Sequence, residues 1–387
     1  MKTSPHAFGA KAALAAPALA IALAAACYAQ AGPPPSIEEF PIKYAGEAQP
    51  SAQGDCHVAR DGGAPMGSTH EITFDERRRG DLWVTGQNYD TLVRVTRDGR
   101  TRLFRMPQGS GPHGIEFDAA GNIWLTLEFH GRIVKLNEDG QILEDYDVRL
   151  DCSSCPDKIN THPHGLGIGP DGKTVWFTGK GTGTVGRITP DGKVQTYALP
   201  TVGSVPIYIK KGPDGNMWVT ELVGNKIARV TPYGEVTEFA IPTPNSRPIA
   251  VVPGPDGRMW FTEEAGNRVG RVERDCSITE FAVPKSHANV ILAGLAFDHE
   301  GNLWVQQYVD HNNPDPTAPD NIVRIDKAIL KARPGGLSAK DFTSYPVETS
   351  DTVMHRIILG PDGNLWFTEL NSDKVGRLAE LPARAAR

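Results

Sequence analysis

The sequence predicts an all-β fold, a seven-bladed β-propeller with four-stranded antiparallel blades and a ring closed by an N-terminal strand. Three observations support this prediction: an internal repeat, a strand-and-turn pattern within each repeat unit, and matching chain ends. Tryptophan marks the repeat, because every tryptophan stands in one motif, spaced by about 42 residues where no insertion intervenes. The motif contains Trp83, Trp124, Trp176, Trp218, Trp260, Trp304 and Trp366. Units of this length are typical of propeller blades.

The strand pattern is clearest in the unit at residues 206–242. Four short runs rich in β-branched and aromatic residues begin at Pro206, Met217, Lys226 and Val236, and turns rich in glycine and proline separate them. Pro-Asp-Gly turns between such runs favour β-hairpins, because these residues supply the backbone angles of tight turns. Each unit is therefore expected to form one four-stranded sheet.

The two ends of the chain complement each other. The last unit lacks a fourth strand after residues 375–378, whereas residues 37–42 resemble residues 278–283, the fourth strand of another unit. We expect the N-terminal strand to pair into the last blade, which would hide an exposed sheet edge. The predicted organisation is a signal peptide at 1–31, an N-terminal segment with the closing strand at 32–64, and the propeller at 65–387.

The N-terminus resembles an export signal. Lys2 and Lys11 are followed by an apolar run at 12–26 and by the small-residue cleavage pattern at 29–31. This predicts a periplasmic or secreted protein, and cleavage before Cys27 with lipid anchoring is the alternative. No later segment is apolar for long enough to span a membrane. The net charge of −6 argues against a nucleic-acid partner, and we expect a monomer.

The cysteines beyond the signal are Cys56, Cys152, Cys155 and Cys276. An oxidising compartment permits disulfides. The Cys-Ser-Ser-Cys spacing at 152–155 lacks the βαβ context of a thioredoxin-like redox motif. We therefore expect a structural disulfide in a loop, although the sequence does not assign the remaining partners.

Histidines recur at one position of the repeat, two residues before the first clear aliphatic of the inner strand. Going round the ring, this slot holds His70, His113, His164, Ile207, Ile249, Ala293 and His355. Ring closure makes the four histidine blades consecutive, so these side chains should line one side of the central funnel. Imidazole binds transition metals and acts as an acid or base near neutral pH, so the slot predicts a metal or catalytic site. The alternative is that the histidines only fill the narrow axis.

Carboxylates follow the second strand of several units. Glu221, Glu263 and Glu369 stand three residues after the tryptophan and are expected to be architectural. Glu128 stands four residues after Trp124 instead, close to His113, and is the stronger functional candidate. Glu71 follows His70 directly, and the alternation of side chains along a strand predicts that it points elsewhere.

Several repeat segments carry a family resemblance: Gly-Pro-Asp-Gly-Asn-Leu-Trp-Phe-Thr-Glu at 360–369, Val-Gly-Arg-Leu at 375–378, and Ile-Pro-Thr-Pro-Asn-Ser-Arg-Pro at 241–248. These segments are similar to the repeats of the streptogramin B lyase (virginiamycin B lyase) family, over nearly all of residues 65–380. The resemblance implies a magnesium-dependent carbon–oxygen lyase that linearises a cyclic depsipeptide by elimination. A small-molecule substrate would then bind at the central funnel.

The resemblance also implies roles for particular residues. The family's catalytic blade has Glu-Pro-His-Gly and, after the second strand begins, Trp-x-x-x-Glu. His113 matches the acid–base histidine, Glu128 a metal ligand, and His70 a second catalytic histidine of the funnel. His164 occupies the slot of a family tyrosine, and Gly111 replaces the first metal-binding glutamate.

The departures from the family pattern leave the metal and the activity open. Blade three offers His162 and His164, with Gly179 and Lys180 where carboxylates would stand. The expected metal ligands are Glu128, His162, His164 and His355, a set that suits Zn²⁺, Fe²⁺ or Cu²⁺ better than the Mg²⁺ of the family. The alternatives to a lyase are a metal-dependent hydrolase or oxygenase and a non-catalytic propeller that binds a ligand or partner.

Overall fold

The computed structural model describes residues 35–44, 67–77, 80–310, 313 and 319–379. The described residues form seven four-stranded antiparallel sheets, as the repeat predicts. The predicted signal peptide, Cys27, Cys56 and much of the segment 32–64 lie outside the described residues. No helix among the described residues is long and apolar enough to cross a membrane.

The strands follow the order of the repeat, and each blade is listed from its inner to its outer strand. Blade 1 comprises β2 (Thr69–Phe74), β3 (Leu82–Gly86), β4 (Thr91–Val95) and β5 (Thr101–Arg105); blade 2, β6 (Pro112–Phe117), β7 (Ile123–Leu127), β8 (Arg132–Leu136) and β9 (Ile142–Asp147); blade 3, β10 (Pro163–Ile168), β11 (Val175–Gly179), β12 (Thr184–Ile188) and β13 (Val194–Ala198); blade 4, β14 (Pro206–Lys211), β15 (Met217–Glu221), β16 (Lys226–Val230) and β17 (Val236–Ala240).

Blade 5 comprises β18 (Pro248–Pro253), β19 (Met259–Glu263), β20 (Arg268–Val272) and β21 (Ile278–Ala282); blade 6, β22 (Val290–Phe297), β23 (Leu303–Val309), β24 (Asn321–Ile325) and β25 (Phe342–Pro346); blade 7, β26 (Met354–Leu359), β27 (Leu365–Glu369), β28 (Lys374–Ala379) and β1 (Ser36–Pro41). Short 3₁₀ segments occur at Gln87–Tyr89, Glu128–His130, Lys327–Lys331 and Ala339–Asp341.

The ring closes through strand β1, which pairs antiparallel with β28 and completes blade 7. Phe40 of β1 stacks on Trp366 with ring centroids 5.7 Å apart. Phe239 and Phe281 stack in the same way on the tryptophans of blades 4 and 5. The closing strand therefore supplies the aromatic residue that the fourth strand supplies in those blades, which confirms the closure predicted from the chain ends.

The repeated tryptophan is a structural residue. Trp218 donates its indole N–H to Asp214 in the Pro-Asp-Gly turn at 3.0 Å, and Trp366 does the same to Asp362. Trp83 is buried among Ile115, Ile123 and other apolar residues of the next blade. The indole therefore joins its own turn, its own fourth strand and the neighbouring blade, and this accounts for its presence in every unit.

Each inner strand contains an irregularity at the position of the histidine slot. In blade 1 the register with the second strand shifts between Thr69 and Ile72, and in blade 2 between Pro112 and Ile115. The same shift occurs in the other five blades of the described sheets. A bulge of this kind re-aims side chains, so two consecutive residues can both face the propeller axis.

In most blades, a threonine two residues after the tryptophan forms hydrogen bonds to the backbone of the bulge. In blade 2, Thr126 accepts a hydrogen bond from the amide of Gly114 and donates to the carbonyl of His164 in blade 3 at 3.4 Å. In blade 7, Thr368 donates to the carbonyl of His70 in blade 1 at 2.7 Å. These bonds join neighbouring inner strands at the slot and hold its backbone in place.

Cys152 and Cys155 form a disulfide, as expected for the loop between blades 2 and 3. Cys276 is a half-buried thiol in the turn before β21, and it forms no disulfide with another cysteine of the described residues.

Candidate functional site

The four slot histidines lie together at the propeller axis. The ring centroids of His113 and His164 are 3.7 Å apart, and His70 lies 5.0 Å from His113. His355 lies 5.1 Å from His70 and 5.6 Å from His113. All four side chains are buried. The structure therefore brings together residues separated by up to 285 positions in the sequence, through closure of the ring.

Backbone carbonyls orient three of these rings. Nδ1 of His70 lies 2.9 Å from the carbonyl oxygen of Ser68, and Nδ1 of His164 lies 2.9 Å from that of Ile207. Nδ1 of His113 lies 3.3 Å from the carbonyl oxygen of His164. A carbonyl oxygen only accepts, so in each neutral ring Nδ1 carries the proton and Nε2 carries the lone pair. The rings are thus fixed in the tautomer that suits a base or a metal ligand.

His113 is poised as a base. Its Nε2 is buried and has no hydrogen-bond partner among the described residues. Burial, followed by the neighbouring His70, holds the pKa of His113 well below its usual range. The imidazole is therefore neutral at physiological pH, and a neutral imidazole with a protonated Nδ1 can take up a proton at Nε2.

Glu71 also belongs to the cluster, and the expectation that it points elsewhere is wrong. Its Oε1 lies 3.4 Å from Nε2 of His355, and Arg356 binds both of its carboxylate oxygens at 2.8 Å. The bulge between Thr69 and Ile72 breaks the strand alternation, so Glu71 and His70 both reach the axis. The guanidinium of Arg356 also lies 4.1 Å from the ring of Tyr208, across the axis in blade 4.

A second polar group spans three consecutive blades. The position four residues after the tryptophan holds Gln87 in blade 1, Glu128 in blade 2 and Lys180 in blade 3. Gln87 donates from Nε2 to Oε2 of Glu128 at 2.8 Å, and Nζ of Lys180 lies 3.2 Å from Oε1 of Glu128. All three side chains are buried. Residues of the two neighbouring blades therefore bind both carboxylate oxygens of Glu128.

Gly111 and Gly179 supply no carboxylate, and each is packed against a side chain. Gly111 has a φ of +58°, which His162, Val205 and Arg247 also adopt just before their inner strands, and a Cβ atom there would lie 2.4 Å from the ring of Phe129. A Cβ at Gly179 would lie 2.2 Å from Oγ1 of Thr184. A side chain at either glycine would therefore require its neighbour to move.

The expected metal ligands fall into different arrangements. Two sets place one donor atom per residue within 4.8 Å of one another: His113, Glu128 and His164, and Glu71, His113 and His355. Among the described residues neither set includes His70 or His162. His162 lies 4.0 Å from Oε1 of Glu128, with about a third of its side chain exposed. Burial and Lys180 lower the pKa of His162.

These donors do not fit a Mg²⁺ site of the kind that the family resemblance implies. Magnesium requires oxygen ligands in octahedral geometry, whereas the carboxylate of Glu128 is already bonded to an ammonium and an amide, and Gly111 offers none. Imidazole donors oriented by carbonyls fit a Zn²⁺, Fe²⁺ or Cu²⁺ ion better. His113, shared by both sets, would be a ligand of such an ion.

Sequence reasoning missed Glu71, Arg356 and Gln87 as members of the site. The bulge that admits Glu71 and Arg356 was not visible in the strand pattern. Gln87 and Lys180 had a usable signal, since both occupy the same repeat position as Glu128. Comparison of that position across adjacent blades would have paired them.

Comparison with known proteins agrees with this architecture. A sequence profile of the virginiamycin B lyase family matches residues 63–313, more than half of the chain. The chain belongs to the virginiamycin B lyase family. Virginiamycin B lyase of Nocardia farcinica (strain IFM 10152) is 34% identical over 142 residues, which are 37% of this chain. That match spans 45% of the relative, less than half of its length.

Solved structures of the family match over most of the ring. Selenomethionine-substituted virginiamycin B lyase from Staphylococcus aureus is 26% identical, with a TM-score of 0.68, and the match covers 90% of this chain and 100% of that one. A catalytically inactive histidine-to-alanine variant of the S. aureus enzyme, with quinupristin, matches with the same values. A streptogramin B lyase structure is 25% identical with a TM-score of 0.68, over 89% of this chain and 97% of that one.

Proposed function

We propose that this chain is an exported carbon–oxygen lyase that opens an ester-containing cyclic compound by elimination at the central funnel. The observation that carries the proposal is His113, a neutral buried imidazole whose Nε2 has no hydrogen-bond partner among the described residues. A histidine-to-alanine variant of a family member is catalytically inactive, which agrees with a histidine-dependent reaction.

The chemistry follows from the state of this imidazole. Nε2 of His113 removes the proton α to a carbonyl of the substrate, and the electron pair left on carbon forms a carbon–carbon double bond. The bond from the β-carbon to the ester oxygen breaks, and the ester leaves as a carboxylate. No water is added, so the linear product has the mass of the cyclic substrate. The ring of His70, 5.0 Å away, disfavours protonation of His113 and so helps to keep the base neutral before the substrate binds.

The test uses quinupristin as the probe. The purified protein is incubated with it, once with Mg²⁺ and once with EDTA, and the reaction is followed by chromatography and mass spectrometry. We expect a linear product of unchanged mass that His113→Ala does not form. His130→Ala, a half-buried histidine on the same face, is the matched control and should retain turnover. A product heavier by one water would identify hydrolysis and overturn the proposal.

A transition-metal centre is the second candidate, and it would support a hydrolase or an oxygenase. The two donor sets that share His113 favour it. Because His113 cannot be both a free base and a ligand, metal analysis separates the candidates: about one equivalent of Zn, Fe or Cu that is lost in His113→Ala would favour the metal centre. If the protein shows neither turnover nor bound metal, both catalytic candidates fail, and the remaining candidate is a propeller that binds a small molecule without catalysis.

Export rests on residues 1–31, which lie outside the described residues. Expression of the full chain in a bacterial host, followed by fractionation and mass analysis of the mature N-terminus, tests it. Cleavage after residue 31 is expected. A lipid-modified N-terminus at Cys27 would instead establish anchoring.

A further inference from the structure

We propose that the ammonium of Lys180 takes the place of a divalent cation in this funnel, so that elimination proceeds without an added metal. This inference rests on the proposed lyase function. It concerns the source of positive charge that stabilises the enolate formed when the α-proton leaves. The argument begins from the three residues that occupy one repeat position in blades 1, 2 and 3.

Both carboxylate oxygens of Glu128 already have a partner, and one of these partners is a cation. Oε2 accepts from Gln87 at 2.8 Å, and Oε1 lies 3.2 Å from Nζ of Lys180. A divalent cation on Oε1 would lie close to the ammonium in a buried environment, where repulsion between like charges is screened poorly. Lys180 is itself buried, so its ammonium group cannot relieve this repulsion by rotating into solvent without a rearrangement of the site.

The positions from which a second carboxylate would come hold glycine in this chain. Gly111 stands in blade 2 and Gly179 in blade 3, each packed against a side chain, Phe129 and Thr184 respectively. Neither glycine offers an oxygen donor from a side chain, so these two positions contribute nothing to the cage of several oxygen donors that Mg²⁺ requires. The loss of carboxylates and the presence of a lysine in the same part of the funnel are complementary changes.

Lys180 lies on the catalytic side of the funnel, because its Nζ is 3.2 Å from Oε1 of Glu128, and Glu128 and His113 place donor atoms within 4.8 Å of each other. Burial, followed by His70 and His355, lowers the pKa of His113, and the charge of Lys180 acts in the same direction. A preorganised positive charge in a buried site stabilises negative charge that develops on a substrate oxygen, and such groups contribute strongly to catalysis. The same ammonium thus favours the neutral base before the reaction and the enolate during it.

The first experiment needs no substrate. Mg²⁺ and Mn²⁺ are titrated calorimetrically into the wild-type protein, into Lys180→Met and into Lys193→Met, an exposed lysine that serves as control. We expect no binding to the wild type or the control in the millimolar range. Mg²⁺ binding by the wild type that Glu128→Gln abolishes would overturn the inference. Should Lys180→Met fail to fold, the double variant Lys180→Met/Glu128→Gln, which removes the whole ion pair, is used for the turnover arm.

The second experiment measures turnover of quinupristin in EDTA. The wild type should retain full activity, Lys180→Arg should retain part of it, and Lys180→Met or the double variant should lose about 100-fold in kcat. Added ethylammonium should partly restore Lys180→Ala, because it replaces the missing side-chain cation. Activity that EDTA abolishes and Mg²⁺ restores would overturn the inference. If the wild type converts no quinupristin under either condition, the lyase proposal fails for this probe, while calorimetry still decides whether Glu128 accepts a cation.

Discussion

The two sides of the ring share one backbone and differ in chemistry. At the slot of the inner strand, blades 7, 1, 2 and 3 carry buried histidines, whereas blades 4, 5 and 6 carry Ile207, Ile249 and Ala293, which are equally buried. The register shift at the slot occurs on both sides. The difference shows that the propeller supplies a constant, rigid frame, and that the identity of one side chain per blade decides where chemistry is possible.

Buried carboxylates occupy two positions of the repeat. Four residues after the tryptophan, Glu128 is paired with Lys180 and Gln87, and Glu264 of blade 5 is paired with Arg247 at 2.6 Å. Three residues after the tryptophan, burial and a nearby carboxylate raise the pKa of Glu221 and Glu369 to about 7 and that of Glu263 to about 8. The state of a buried carboxylate therefore depends on its position in the repeat, and it is the same on both sides of the ring.

The largest expected effect comes from making the two sides alike. His113→Ile places the aliphatic residue of blades 4 and 5 in blade 2, and kcat/KM toward quinupristin should fall by about 100- to 10,000-fold because the general base is lost. The thermal unfolding midpoint should change little, since the slot is apolar elsewhere. Ile207→His, on the opposite side, is the control and should not create or raise activity. Turnover by His113→Ile within tenfold of the wild type would refute the role of His113.

The next effect concerns the pairing of Glu128. Lys180→Met leaves a buried carboxylate without its cation and should lower the free energy of unfolding by about 3 kcal/mol, measured by denaturant titration. Lys180→Met/Glu128→Gln should recover most of this loss, because no buried charge remains. Equal destabilisation in the single and double variants would show that packing, not charge, is responsible.

The protonated carboxyls predict a pH dependence of stability. Their pKa values are raised in the folded protein above the ordinary value of 4.5, so the stability that they contribute is complete below about pH 4.5, decreases as the unfolded chain ionises above that pH, and is fully lost once the pH has risen through about 7 to 8. We expect the unfolding midpoint to fall by roughly 5 °C or more between pH 6 and pH 9. Glu263→Gln should flatten this slope, whereas the exposed Glu300→Gln should not. Identical slopes in all three proteins would contradict the assignment.

The smallest expected effect tests the protonation state of His113 through the pH dependence of kcat/KM. Because the pKa of His113 is lowered, protonation should abolish activity only at a pH below the usual range of histidine. The acid limb of kcat/KM for quinupristin should therefore lie below pH 6.5. Since Lys180 contributes to the lowering, Lys180→Met should move the limb upward by a fraction of a pH unit, while Lys193→Met should leave it in place. A wild-type limb above pH 7 would argue against His113 as the base.

The fold was largely predictable because each of its determinants is local and repeated. Tryptophan spacing, Pro-Asp-Gly turns and the likeness of residues 37–42 to a fourth strand sufficed to predict seven blades and their closure. The slot histidines were predictable for the same reason, since a repeat aligns equivalent positions even when they are far apart in the chain.

The rest of the site was not predictable, because it depends on contacts between blades and on departures from regular strand geometry. Glu71 reaches the cluster only through a bulge, and Arg356 meets it only after blades 7 and 1 become neighbours. The pairing of Glu128 with Lys180 needs the spacing of blades 2 and 3, which no local pattern contains.

The sequence by itself thus determined the repeat, the closure of the ring and the side of the funnel that carries histidine, because hydrophobic periodicity and turn chemistry act over a few residues. Only the tertiary structure decided which charges meet and which imidazole nitrogen of each slot histidine is held by a carbonyl oxygen. Those properties depend on distances of a few ångströms between separate blades, and at that scale burial and pairing control groups such as His113 and Glu128.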